Sequence, residues 1–354
     1  MVEWDPELNP EERQADASRG LMRSALFILA TLTVTIVVSF SIASIFQGVG
    51  FSEMLLLFLR STVGSKGSLL RTLTRMTPLL ISTLGLIVAF RSGVWNIGGE
   101  GQIVLGAVVS TGICLFLGLP PPLATLLSLV SAFVAGGTYA AVAGYLKARW
   151  GVNEVVVTMM QNFVSLALLQ YLIDGPWNWG KGLYPRTEMI SEATRLPYIA
   201  SPLSSAFIIA LAIVAVLHFL LNRTVVGYEM RAMGDNREAS YAHGIDVHRL
   251  SIFSMMVSGG VCGLAGSGLV LGQFFRAQAG ISGNYGFYAI ASAFIAGNRA
   301  SLAPLSSLLI AFIYEGTLAL TALGLPHRLC EAIVGVVFIA VLLPRGLKWL
   351  GGDR

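Results

Sequence analysis

Apolar residues fill this chain in blocks of about membrane-spanning length, separated by short polar joints. A helix needs about 20 apolar residues to cross the hydrocarbon core of a bilayer. Ten blocks come near that length, at 25–46, 68–90, 97–118, 122–146, 154–173, 201–221, 250–272, 286–297, 303–323 and 329–344. The pattern predicts an all-α polytopic transmembrane bundle of about ten helices. The eighth block falls short: a dozen residues rise only about 18 Å against a core of about 30 Å. Gly283, Gly286 and Gly297 flank it, so a broken or half-helix is expected there. Ahead of the second block, Glu53 to Arg60 reads as a short amphipathic helix lying on the outer surface of the membrane.

One joint differs from the others. Phe90 to Gln102 reads Phe-Arg-Ser-Gly-Val-Trp-Asn-Ile-Gly-Gly-Glu-Gly-Gln, polar and glycine-rich between two apolar blocks. Hydrocarbon neither hydrogen-bonds loose backbone nor solvates a carboxylate, so such a segment needs protein or a water-filled cavity around it. Asn96, Glu100 and Gln102 are therefore candidates for a substrate pathway. Glu100 has a second reading, as a partner of the helix dipole near a helix start. Gln161, Asn162, Gln273 and Asn284 are polar residues in or beside apolar blocks. Each reads either as an interhelical hydrogen-bond partner or as the lining of a cavity for an uncharged solute.

Charge sharpens the class and the orientation. Only 12% of the residues are charged, about half the roughly 25% of soluble domains. With the N-terminus inside and the spans alternating, most of the Lys and Arg residues fall on the cytoplasmic side. Both termini are then cytoplasmic: a tail at 1–24, a permease domain at 25–345 with a cytoplasmic loop at 222–250, and a tail at 346–354. Arg60, Lys66, Arg71 and Arg75 run against this rule, since they fall outside. The first apolar block lacks a small-residue cleavage site and reads as a retained helix. The loop Asp174 to Ala200 is long, aromatic and outside; its Trp177, Trp179 and Tyr184 fit an interfacial belt or a docking surface.

Catalytic signatures are missing. Among the few ionisable residues in or near the apolar blocks, no pair of acids sits on one helix face at catalytic spacing, and neither His-Glu-x-x-His nor Gly-x-Ser-x-Gly occurs. Gly175 to Gly182 approaches a phosphate-binding loop, but it lacks the closing Ser or Thr and no strand leads into it. Cys114, Cys262 and Cys330 have no metal-ligand spacing and read as small buried hydrophobes. Helix glycines four apart, Gly259/Gly263 and Gly268/Gly272, read as surfaces of close helix contact.

Two stretches resemble a known family. Gly93-Val-Trp-Asn-Ile-Gly-Gly-Glu-Gly-Gln102 is similar to the G-x-F-N-I-G-x-E-G-Q signature of permease subunits of nucleoside and simple-sugar ABC importers, with Trp95 in place of Phe. Gly227 to Ile245 resembles the same family's cytoplasmic coupling segment, with Ser240 where a second Ala is usual. The resemblance covers about residues 68 to 345. It implies a transport subunit without catalytic activity in a bacterial-type inner (plasma) membrane. It also implies a second related permease, a cytoplasmic ABC ATPase that carries the ATP, and an extracytoplasmic solute-binding protein. No cofactor on this chain and no nucleic-acid partner are expected, and membrane lipid surrounds the bundle. The implied coupling residues are Arg231, Gly234, Asp235, Asn236, Ala239 and Gly244, with Arg231 to Gly244 expected as one short helix. A nucleoside is the first expectation for the solute, a simple sugar the second. An ion-driven secondary transporter and a membrane enzyme are rivals that this sequence supports poorly.

Overall fold

The computed structural model describes residues 50–180 and 184–323, with isolated positions 37, 41, 44, 48, 326, 331, 332, 335 and 336 beyond them. The chain divides into two units, Met1–Ser61 with Gly316–Arg354, and Thr62–Glu315. In the first unit, helix α1 (Phe51–Thr62) is the expected amphipathic segment, and the Phe58 ring occupies the space a side chain at Gly316 would need. The expected spans at 25–46 and 329–344 and the two tails lie outside the described residues.

The second unit holds α2 (Lys66–Arg91), α3 (Gly99–Phe116), α4 (Pro121–Trp150), α5 (Glu154–Asp174), α6 (Ala206–Arg223), α7 (Val225–Asp235), α8 (Arg237–Ala242), α9 (Val247–Leu269) and α10 (Tyr285–Ile295). It also holds most of α11 (Ala303–Ala319). Among the described residues, seven helices are long and apolar enough to cross a membrane: α2 to α6, α9 with the π-turn Val270–Phe274 that ends it, and α11 with its 3-10 extension. Helix α10 is apolar but only 11 residues long. The eighth block is therefore short, as expected, and seven of the ten anticipated segments are spans among the described residues.

Helix boundaries follow local chemistry. The Ser65 hydroxyl accepts from Ser68 N at 3.0 Å and caps α2. Asn153 caps α5 and Asp246 caps α9 in the same way. Pro121 opens α4 at a position that needs no N–H, and Gly151, at φ +66°, closes it.

Helix α9 is the centre of the bundle, packed against α4, α3 and α2. Its apolar window is 83% buried, whereas that of α6 is 22% buried and faces outward. The packing works because backbones touch. A Cβ at Gly263 would collide with the Ala132 carbonyl of α4, and one at Gly266 with the Ile103 carbonyl of α3. Gly136 and Gly259 face each other on α4 and α9 with the same result. Lipid gives apolar side chains no reason to leave it, so close van der Waals contact between small residues does the holding. Helix α2 is buried without a break from Met76 to Ala89.

The loop after α5 is pinned to the segment that follows α9. Thr187 N donates to Ala277 O at 2.9 Å, Ile190 N to Phe275 O at 2.8 Å and Leu196 N to Leu271 O at 2.9 Å. A small antiparallel pair, β1 (Tyr198–Ala200) with β2 (Leu203–Ser204), completes it. Trp177 lies against Phe116, with ring centroids 5.2 Å apart, and covers Gly112. Trp179 and Tyr184 remain exposed.

Candidate functional site: a polar clasp, a charged aromatic cluster and a helical elbow

The joint between α2 and α3 is an ordered break whose backbone is satisfied by side chains. Gly93, at φ +69°, turns the chain, and Val94 N returns to Ala89 O at 3.0 Å. Residues 95–101 then need partners, and α5 supplies them at one-turn intervals. Glu154 accepts from Trp95 N at 3.2 Å and forms an ion pair with Lys147. Thr158 accepts from Ile97 N at 3.2 Å. Asn162 donates to Ile97 O at 2.9 Å and accepts from Gly101 N at 2.8 Å. Positions four apart share a helix face, so one stripe of α5 reads the whole break.

Asn96 closes the clasp and is fully buried. Its Nδ2 donates to Gln102 Oε1 at 3.0 Å and to Ser258 Oγ at 2.9 Å. Its Oδ1 accepts from Gly98 N at 2.9 Å and from Gln102 Nε2 at 3.0 Å. Both amides are spent on each other and on α9, and they face protein rather than lipid. Glu100, second in α3, accepts from Gly286 N at 2.8 Å, a donor of the first turn of α10. Ser282 and Asn284 donate to the same carboxylate. Two helix N-termini thus converge on one acid, an arrangement that their dipoles favour. A Cβ at Gly286 would run into the Glu100 backbone, so glycine is required for this approach.

Sequence reasoning missed a second cluster. Arg71 Nε lies 3.4 Å from Glu315 Oε1, and Arg75 Nε 3.3 Å from Glu315 Oε2. Arg75 stands over the Tyr314 ring at 5.9 Å. Tyr314 is 6.0 Å from Tyr285 and 5.4 Å from Tyr288 between ring centroids. The Tyr285 hydroxyl is buried beside Arg75. Arg71 and Arg75, which broke the charge rule in the sequence, are partners of an acid on a distant helix. The signal was present in the isolated Glu315.

Gln273, a candidate for the pathway, has a defined structural task. Pro78 has no N–H, so the Thr74 carbonyl one turn earlier loses its helical donor. Gln273 Nε2 donates to that carbonyl at 2.9 Å from the π-turn that ends α9. Gln161 donates to Tyr139 O at 2.7 Å and ties α5 to α4. Asn284, at φ +61°, caps α10 immediately before Tyr285. The candidates therefore fall into two groups. Asn96, Gln102, Gln161 and Asn162 hold the break and its neighbours. Glu100 and Asn284 meet at the start of α10, and Gln273 holds the Thr74 carbonyl, next in sequence to Arg75 of the charged cluster. Among the described residues no group of His, Cys, Asp and Glu is placed to hold a metal ion.

The anticipated single helix from Arg231 to Gly244 is corrected to two helices. Thr224 caps α7 by accepting from Gly227 N at 3.0 Å, so the helix starts before Arg231. Asn236 ends α7 and caps α8 by accepting from Ala239 N at 2.9 Å. An Asn that competes for backbone N–H groups breaks a helix here as it would start one. Gly244, at φ +87°, turns the chain into α9. Met230 and Met233 are buried, whereas Asp235, Asn236, Ala239 and Tyr241 are exposed. Arg231 is half-buried, and Gly234 packs on the Arg91 carbonyl at the end of α2. The elbow thus touches the segment that opens the clasp.

Comparison with known proteins agrees with this architecture. Residues 68–342 match the family described as branched-chain amino acid transport system / permease component. The chain is 31% identical over 290 residues to a guanosine ABC transporter permease protein of Bacillus subtilis, covering 79% of this chain and 82% of the relative. It is 30% identical to a nucleoside ABC transporter permease protein of Lactococcus lactis, covering 79% and 81%. It is also 29% identical to a glucose ABC transporter permease protein of Haloferax volcanii, covering 81% and 79%. No solved structure matches.

Proposed function

This chain belongs to the permease-component family of branched-chain amino acid transport systems, as a permease of the nucleoside and sugar ABC importer kind, and we propose that it moves a nucleoside. It is a multi-pass membrane protein and a transport subunit, not an enzyme. The observation that carries the solute class is the charged aromatic cluster. A nucleobase offers a π-face to tyrosines and hydrogen-bonding edges to Arg and Glu. Tyr285, Tyr288 and Tyr314 with Arg75 and Glu315 bring both kinds of group to one place, with Arg75 and Glu315 on helices long and apolar enough to cross a membrane. Ionisable residues within such helices are costly and mark functional routes.

In this reading a solute-binding protein delivers the nucleoside outside, and a second related permease completes the translocation unit. An ATPase docks on the exposed face of α7 and α8 and carries the ATP. Closure of the ATPase pair moves the elbow, Gly234 presses on the end of α2, and the break between α2 and α3 shifts relative to α10. Glu100 and Gly286 connect that break to the tyrosines, and the cavity changes the side it faces.

The test is uptake in a strain deleted for this chain and complemented with it. Labelled guanosine uptake should return on complementation and should be competed by unlabelled nucleosides but not by glucose. Glu315→Gln should lower uptake several-fold at unchanged membrane abundance. Competition by glucose alone assigns the sugar instead, and full uptake with Glu315→Gln removes the cluster from the route.

A further inference from the structure

The cluster above does not include a second polar site, at the end of the unit where α7 and α8 lie. A cavity of about 120 Å3 there is lined by Arg91, His218, Asn222, Asn298, Arg299 and Ser301, with Leu221 and Ala300. Organic ligands fill pockets of about 300–1,000 Å3. This space suits a single small ionic group.

Its chemistry is one-sided. Two guanidiniums line it and no acid does. Neither Arg91 nor Arg299 pairs with a carboxylate among the described residues. His218 adds a third donor whose tautomer is set by a neighbour. Asn222 Nδ2, a donor only, lies 3.3 Å from His218 Nδ1 and also donates to His218 O at 2.9 Å. Nδ1 therefore accepts, and the neutral ring carries its proton on Nε2. The floor is a fixed turn. Gly297 and Asn298 take φ +61° and +55°, and Asn298 N returns to Ala293 O at 2.9 Å. Asn298 Oδ1 is buried without a partner. It is an acceptor among donors and fits an oxyanion that keeps one proton.

We infer that Arg91, Arg299 and His218 form a binding site for a phosphate group, at the end of the bundle that carries the helical elbow. Arginine forks match phosphate oxygens in pairs, and basic pockets between helices at a membrane face hold anionic headgroups. A free phosphate and a lipid phosphodiester share the anionic oxygens that the arginines read, and only the free phosphate also carries a proton for Asn298 Oδ1. The position makes occupancy matter, because the Arg91 carbonyl is the surface on which Gly234 of α7 packs. An anion on the Arg91 side chain would stiffen the joint between α2 and the elbow.

The experiment uses the full chain, purified with the subunits that accompany it and placed in nanodiscs. One arm uses phosphatidylcholine nanodiscs with added inorganic phosphate. The other uses phosphatidylcholine nanodiscs with and without one-fifth phosphatidylglycerol, in phosphate-free buffer. Thermal unfolding and native mass spectrometry report binding. The site predicts a rise in unfolding temperature and a retained adduct in at least one arm: free phosphate alone assigns a soluble oxyanion, and phosphatidylglycerol alone assigns a headgroup. Arg91→Gln with Arg299→Gln should weaken that binding by roughly ten-fold or more, the loss of at least one charged hydrogen bond. Ser301→Asp, on an exposed rim residue, should do the same through charge without disturbing the core. The inference is overturned if neither arm binds, or if Ser301→Asp and the double variant bind as the unmodified chain does.

Discussion

Replacing Asn96 by Ala tests the clasp at its centre. The substitution removes four hydrogen bonds, two accepted and two donated, from a fully buried side chain. Interhelical bonds inside membrane bundles average about 0.6 kcal/mol, so four give roughly 2.4 kcal/mol. Taken at about 1.5 kcal/mol each, the upper end for net bonds in folded proteins, they give roughly 6 kcal/mol. The lower figure is a floor, because the Gln102 amide is left buried without its partner. Ser258→Ala removes one bond of the same set and should cost about 0.6 to 1.5 kcal/mol. The assay is reversible unfolding of the purified subunit in mixed micelles by titration with dodecyl sulfate. A cycle with Gln102→Ala adds a second check. Asn96 and Gln102 share two bonds, so their coupling should be about 1.2 to 3 kcal/mol. An Asn96→Ala cost below about 2 kcal/mol, or no coupling to Gln102, refutes the reasoning.

Three further outcomes are expected. Gly263→Val should abolish recovery of folded subunit on size exclusion, because its side chain meets the Ala132 carbonyl; Gly268→Ala, whose nearest neighbour would be Ala206 Cβ at 3.8 Å, should be tolerated. Glu100→Gln keeps an acceptor for Gly286 N but loses the charge facing two helix N-termini, and should cost about 0.3 to 2 kcal/mol in the same titration. Gly234→Val should push α7 off the Arg91 carbonyl and leave ATP hydrolysis running without uptake, measured together in reconstituted vesicles.

Much of this arrangement is written in local chemistry. Apolar length marks α2 to α6, because a bilayer fixes the length a span needs. The glycines beside residues 286–297 announce the short α10, since left-handed turns and close approach to Glu100 require them. The polar joint at Phe90 to Gln102 announces a break, because backbone without partners is intolerable in hydrocarbon. What stayed hidden depends on distant partners. Arg71 and Arg75 look misplaced until Glu315 is folded beside them. The task of Gln273 is invisible without knowing that the carbonyl freed by Pro78 faces it. The sequence predicts one helix across the elbow, because Asn236 is helix-compatible in a linear pattern. Its cap on Ala239 N shows only in three dimensions.

The most direct test of the account is transport by the reconstituted importer. The chain and the proposed partner permease and ATPase are placed in vesicles, with the proposed solute-binding protein and labelled guanosine on the outer side. The account predicts guanosine accumulation that requires both ATP and the solute-binding protein, is indifferent to proton and sodium gradients, and disappears with Gly234→Val while hydrolysis continues. Accumulation driven by an ion gradient without ATP would contradict it.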